Sequence, residues 1–378
     1  MLWSHQYLSR IDWRVVPLIL ALMAIGLLVI SSHTTIAPNG IDESFFTPLA
    51  RTQLQWCLAG WIVFLLSAGF DYRKLREWVW ILYALMLVSL IGLFFTDSIQ
   101  RVNRWYRIPF INIGFQPSES AKLITVIALS WFLERRKQRL YEWGTVCAAF
   151  VIVGIPFCLI LKQPDLGSAL VLFPVALVMF YIGGLHPWVV RMMTIGVSLA
   201  VFCIALIFLG VVSHEELRPY ASHVLKSYQF KRLDPNTHHQ KAAQTAIAVG
   251  GVVGTGWRNS EFTSKGWLPT PYTDAVFPAF GEEFGLVGIF LLLFLFYALL
   301  YFSFQVTAAA KDSFGRLLSA GITVYLTVHV LINIGMMSGF LPITGVPLIL
   351  ISYGGTSLLA TMGALGILQS IYSRRFMF

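Results

Sequence analysis

Apolar runs of about 20 residues recur along nearly the whole of this 378-residue chain, and each is long enough to cross the roughly 30 Å hydrocarbon core of a bilayer. Lipid offers no partner to backbone N–H and C=O groups, so repeated runs of this length fold as helices. Only 12% of the residues are charged, about half the share in soluble domains, which is too few to coat such a core for water. Spans are predicted near residues 14–31, 52–70, 79–95, 119–133, 144–161, 168–183, 189–212, 284–304, 317–337 and 355–372. The expected fold is an all-α polytopic membrane protein of about ten transmembrane helices, forming one membrane domain over residues 1–378. The first run, Val15 to Ile30, has no small-residue cleavage site and is expected to stay as a span.

Charge gives these crossings a direction. With a cytoplasmic N-terminus, Arg73, Lys74, Arg135, Arg136, Lys137, Arg374 and Arg375 fall on the inside, whereas the short outer connections hold only Arg51, Arg101, Arg104, Arg107 and Lys162. Both termini are therefore expected in the cytoplasm. The long connection between helices 7 and 8, about residues 213–283, then lies outside, and its aromatics and apolar stretches predict a structured extracytoplasmic cap. The net charge of +9 flanks the spans instead of forming one stripe, which points to anionic membrane lipid and away from nucleic acid. Cys57, Cys147, Cys158 and Cys203 are scattered through apolar runs and read as small hydrophobes, neither a disulfide framework nor a metal site.

Four clusters could carry chemistry, and all fall on the outer side. Arg101 to Lys122 combines Arg101, Arg104, Arg107, Trp105 and Tyr106 with Pro117 in the first turn of span 4. That is either an anion site suited to a phosphate or pyrophosphate, or an interfacial aromatic belt with snorkelling cations. Glu119 and Lys122, three residues apart on one helical face, are either functional or a structural ion pair locking span 4 to a neighbour. Lys162 to Gly167 makes a sharp break where Asp165 either caps the next helix or shares a cavity with Lys162. Asp274, just before an apolar segment, is either an N-cap or a carboxylate raised by desolvation toward base-like behaviour. Glu282 and Glu283 are expected near a helix N-terminus, where the dipole favours them. From Gly345 to Ser357, Pro347 and Gly354-Gly355 predict either broken backbone lining a cavity or packing glycines, with the hydroxyls of Ser352 and Tyr353 able to meet a sugar or phosphate. No Walker loop, GxSxG, HExxH or Cys–His metal spacing occurs.

Taken in order, these strings resemble the SEDS family (shape, elongation, division and sporulation), the bacterial cell-wall polymerases that include RodA, FtsW and SpoVE. The resemblance rests on Arg104-Trp105, FQPSE at Phe115–Glu119 with Lys122, QPDLG at Gln163–Gly167, Thr273-Asp274, the Gly281–Gly288 segment and the Gly345-to-Gly355 segment. The short N-terminus and Gly345-Val346-Pro347 look more like RodA than FtsW. One departure stands out: the family pattern HTDFIF reads Tyr272-Thr273-Asp274-Ala275-Val276-Phe277 here.

The resemblance implies a peptidoglycan glycosyltransferase on the outer face of the bacterial cytoplasmic membrane, active in elongation. Its substrate would be lipid II, a disaccharide-peptide on undecaprenyl pyrophosphate, with Asp274 as general base on the acceptor hydroxyl. Substrate contacts would fall to Arg51, Arg101, Arg104, Trp105, Glu119, Lys122, Lys162, Asp165, Ser352 and Tyr353. The departing pyrophosphate leaves room for an assisting divalent cation, Mg or Mn, for which the sequence displays no ligand set. The implied protein partner is a class B penicillin-binding protein, a transpeptidase. Two rivals are a lipid II flippase and a non-catalytic scaffold for that transpeptidase. A flippase calls for polar residues along a path through the membrane, whereas the charges here gather near one face.

Overall fold

A computed structural model describes residues 9–34, 36–37, 40–41, 44–96, 104–108, 113–212, 214, 216, 219, 230 and 232–376. In chain order the helices are α1 (Val15–His33), α2 (Pro48–Gly69), α3 (Leu75–Gly92), α4 (Pro117–Arg135), α5 (Trp143–Lys162), α6 (Leu166–Gly183), α7 (Pro187–Phe208), α8 (His238–Gly250), α9 (Val276–Ala309), α10 (Ser313–Met337) and α11 (Gly355–Ser373). The predicted spans all appear as helices, and α8 lies in the long connection. Two short antiparallel hairpins complete the described residues: β1 (Ile36–Ala37) with β2 (Gly40–Ile41), and β3 (Tyr106–Ile108) with β4 (Ile113–Phe115), the latter in register Tyr106↔Phe115.

Eight of these helices are long and apolar enough to cross a membrane. The two long helices outside that group, α4 and α11, are the ones that lie deepest. α4 touches α3, α5, α6, α10 and α11, while α11 touches α2, α4, α9 and α10. Thirteen of the 19 residues of α4 and 14 of the 19 of α11 are buried, so neither has to present a fully apolar surface to lipid. That is why the membrane-depth charges sit on α4. At the other extreme, α7 buries Ile207 alone among its 22 residues and presents the rest to its surroundings.

Helix starts follow ordinary capping chemistry. Thr47 accepts from Ala50 N ahead of Pro48 in α2, Asp165 from Ser168 N in α6, and Asp312 from Gly315 N in α10. Pro117 opens α4 as expected, with Gln116 at the N-cap position but making no side-chain cap bond.

The start of α9 departs from expectation. The helix begins at Val276, eight residues ahead of the predicted 284, and breaks at Gly285, where φ is 62°. A Cβ there would stand 2.4 Å from Gly254 N, so only glycine fits. Backbone from the long connection fills the break: Leu286 N donates to Gly251 O at 2.9 Å, Thr255 N to Glu282 O at 3.0 Å and Gly256 N to Glu283 O at 3.0 Å. Irregular backbone beside a span is thereby satisfied by protein, as lipid requires. Glu282 and Glu283 consequently do not act through the dipole at the start of α9, but fasten the cap. Glu282 accepts from Phe262 N at 2.7 Å and from Thr263 N and Oγ1, and Glu283 accepts from Arg258 N at 3.1 Å and from Ser32 Oγ.

Candidate functional site

Where the cap meets the bundle, a cavity of about 1010 Å³ opens, a size at the upper end for small-molecule sites. Trp56 on α2, Trp105 beside β3, Gln116 before α4, Thr273-Asp274 and the stretch around Tyr353-Gly354 form its walls. Asp274 lies in a tight turn ahead of α9, where Ala275 N donates to Thr270 O at 3.3 Å. Gly345 sits directly against it: φ there is 77°, and a Cβ would come within 3.4 Å of Asp274 Oδ2. The apolar wall and the missing side chain at Gly345 let the carboxylate face the cavity.

Burial raises the Asp274 carboxyl above the usual carboxylate range. The charges of Arg232 and Arg104 pull it back down, and the neighbouring charge of Asp165 pushes it up again. An acid poised above its ordinary range, yet facing two cations, can take a proton and sit beside a developing negative charge.

The Asp274 turn is held from three sides. Asn333 on α10 donates through Nδ2 to Asp274 O at 3.0 Å and to Val346 O at 2.7 Å. Ser352 Oγ donates to Thr273 O at 2.7 Å while accepting from Leu348 N at 2.8 Å. Tyr353 N donates to Tyr272 O at 2.8 Å, and the two tyrosine rings meet edge to face with centroids 6.3 Å apart. Tyr272, the departure from the family pattern, thus packs against the Ser352-Tyr353 segment. The broken backbone predicted between α10 and α11 is present and lines the cavity.

A second scaffold holds the α5–α6 break against the ends of the β3–β4 hairpin. Gln116 Nε2 and Ser118 Oγ donate to Asp165 Oδ2 at 3.0 and 3.1 Å, and Asp165 Oδ1 accepts from Ser168 N at 3.3 Å. Asp165 therefore caps α6 and also orients a cavity-lining glutamine. Arg104 donates through Nε to Gln163 O at 3.1 Å and through Nη2 to Pro164 O, which fixes its charge near Asp274.

The remaining predicted residues separate by position. Trp105 and Tyr353 line the cavity, and Ser352 stands behind it. Glu119 and Lys122 are buried below, paired at 2.8 Å, with Lys122 Nζ also 2.8 Å from His329 Nε2 on α10. They lock α4 to α10 and do not line the cavity. Arg51 is exposed, its Nε donates to Phe46 O at 2.8 Å, and it does not line the cavity. Lys162 is exposed beside a groove with Phe150 and Cys158, and neither Lys162 nor Asp165 lines the cavity. Arg101 lies outside the described residues. Among the described residues no group of three or more His, Cys, Asp or Glu stands close enough to hold a metal ion.

Sequence reasoning did not single out Asn333, Arg232, His329 or Gln53. Gln53 is buried on α2 and brackets the Ser352–Gly354 backbone, its Nε2 toward Ser352 O and its Oε1 toward Gly354 N, both at 3.4 Å. A polar residue set in the apolar run of α10 is the sequence signal that marks His329 and Asn333.

The profile of the cell cycle protein family FtsW/RodA/SpoVE matches residues 13–375. The chain belongs to that family. Among relatives of this FtsW/RodA/SpoVE member, the peptidoglycan glycosyltransferase MrdB of Escherichia coli K12 is 30% identical over 369 residues, covering 94% of this chain and 93% of MrdB. The probable peptidoglycan glycosyltransferase FtsW of Geobacter metallireducens is 28% identical over 376 residues, covering 97% and 96%. Among solved structures, the rod shape determining protein RodA of Thermus thermophilus superposes with a TM-score of 0.69 at 26% identity, covering 97% of this chain and 98% of RodA. A chain of a peptidoglycan synthase complex that coordinates polymerization and crosslinking superposes with a TM-score of 0.77 at 28% identity, covering 97% and 99%.

Proposed function

We propose that this chain is a peptidoglycan glycosyltransferase that polymerises lipid II during cell elongation. The observation that carries the reading is Asp274: a carboxylate raised by burial, facing a cavity and flanked by the charges of Arg104 and Arg232. The full-length similarity to MrdB and the RodA-type fold support the activity and the elongation role.

In this mechanism Asp274 accepts the proton of the acceptor sugar's hydroxyl as its oxygen attacks the anomeric carbon of the donor. The bond to the pyrophosphate lipid breaks, and negative charge grows on the departing phosphate oxygens. Arg104 and Arg232 stabilise that charge, since both already act on the same corner of the cavity. Trp105 and Tyr353 give the sugar rings an aromatic and hydroxyl-bearing wall.

The site would open outward from a bacterial cytoplasmic membrane, with both termini inside, as the lysine and arginine distribution favours. A class B penicillin-binding protein would cross-link the product, a reading supported by the similar chain within a synthase complex.

Purified protein with its transpeptidase and labelled lipid II tests the reading. Glycan polymer is expected. Absence of polymer together with movement of lipid II across liposome bilayers would replace the polymerase with a flippase.

A further inference from the structure

A second cavity, a lateral groove of about 880 Å³, opens between α3, α4 and α5. It lies at the opposite end of the bundle from Asp274. α4 starts beside the catalytic cavity and runs for 19 residues, so Arg135 at its far end is roughly 27 Å away along the helix axis.

The groove's wall is fixed by aromatic packing. Trp80 and Trp131 meet edge to face with centroids 5.4 Å apart, and Trp80 stacks likewise against Tyr83 at 5.9 Å. Pro156 inside α5 has no N–H to give the carbonyl of Ile152, which would be left facing lipid without a partner. Tyr83 Oη donates to that carbonyl at 2.9 Å across the groove. The interior is therefore apolar and held open in one shape.

Its mouth is cationic. The Arg135 guanidinium lies 5.4 Å over the Trp131 ring, and Arg135, Arg136 and Lys137 are exposed. The nearby carboxylate of Glu134 is taken by Arg76 at 2.8 Å, and Glu142 stands 3.8 Å from Arg139. Arg135, Arg136 and Lys137 form no ion pair among the described residues.

We propose that this groove binds one anionic phospholipid of the leaflet opposite the catalytic cavity. An acyl chain lies along Trp80, Trp131 and Ile155, and the phosphate meets Arg135 and Arg136. A zwitterionic phospholipid brings its own ammonium to the same arginines and gains no net attraction, so the mouth selects by charge. An arginine at such a surface is worth about fivefold in affinity for anionic lipid.

The full chain in phosphatidylcholine nanodiscs, with a minor fraction of phosphatidylglycerol brominated on its acyl chains, reports occupancy through tryptophan quenching. Brominated phosphatidylcholine at the same fraction serves as reference. Phosphatidylglycerol is expected to quench more, the excess vanishing in Trp80→Phe/Trp131→Phe and falling at least tenfold in Arg135→Gln/Arg136→Gln. Arg375→Gln, outside the groove at the chain's other basic end, should keep the excess. Equal quenching by the two lipids would overturn the proposal, as would an excess that survives the double substitution or that Arg375→Gln also removes, which would mark diffuse surface attraction.

Discussion

Asn333 holds Asp274 by its backbone, donating to the Asp274 carbonyl at 3.0 Å with the same Nδ2 that reaches Val346 O at 2.7 Å. One buried amide on α10 therefore ties the turn bearing the carboxylate to the loop bearing Gly345, where a Cβ would stand 3.4 Å from Asp274 Oδ2. Truncation leaves two carbonyls short of a donor, a loss of about 1–3 kcal/mol. Asn333→Ala is expected to cut polymerisation by one to two orders of magnitude, mainly in kcat, because Asn333 positions the base and does not touch substrate. Lipid II kinetics on the folded variant, well below its melting temperature, check this, and a change confined to KM would contradict it.

The pH profile follows from the environment of Asp274. Its folded-state pKa is raised, so the carboxylate becomes a competent base only above the usual carboxylate range. Polymerisation should therefore climb through a displaced acid limb, and Arg232→Gln, which removes a lowering charge, should move that limb to higher pH. The stability consequence has the opposite sense. A raised acid favours the folded state at low pH, and this contribution is lost as pH rises through the folded pKa. Asp274→Asn keeps it, so the variant should melt higher than wild type at neutral pH, read by thermal unfolding in detergent.

Most of the long helices were legible because apolar length is a strong signal, and Asp274 and Gln116 from the singled-out strings line the cavity, with Asp165 bonded to Gln116. Proximity was harder. Lys162 and Asp165 are three positions apart, yet the turn between α5 and α6 sends them to different surfaces. Asn333 and His329 sit in the apolar α10, and Gln53 lies among Arg51, Thr52 and Gln55 at the start of α2, where neither period nor spacing distinguishes a positioning residue from a satisfied core group or a polar helix end. The role of Glu282 and Glu283 depends on the break at Gly285, and the helical hydrophobicity runs straight through that break.

Glu119 and Lys122 form a buried pair whose partner across the interface is His329. Removing one charge strands the other, at a cost of about 3–5 kcal/mol, whereas replacing both with apolar groups of similar volume is close to neutral. Lys122→Met should lower the melting temperature sharply, and Glu119→Leu/Lys122→Met should recover most of it. Failure of the double substitution to recover stability would show that the pair does more than lock α4 to α10.

Gly285→Ala tests the break in α9. Its φ of 62° and the 2.4 Å approach to Gly254 N leave no space for a methyl group. The cap should detach locally, raising proteolysis within residues 251–265 while the helices stay folded. Unchanged protease resistance would mean that the cap is held elsewhere.

The general-base assignment is tested most directly by glycan synthesis from labelled lipid II with wild type, Asp274→Asn and Asp274→Ala, each with the transpeptidase present. Loss of polymer in both variants, with substrate still bound and Asp274→Asn melting no lower than wild type, is the predicted result. Polymer from either variant at the wild-type rate would contradict it.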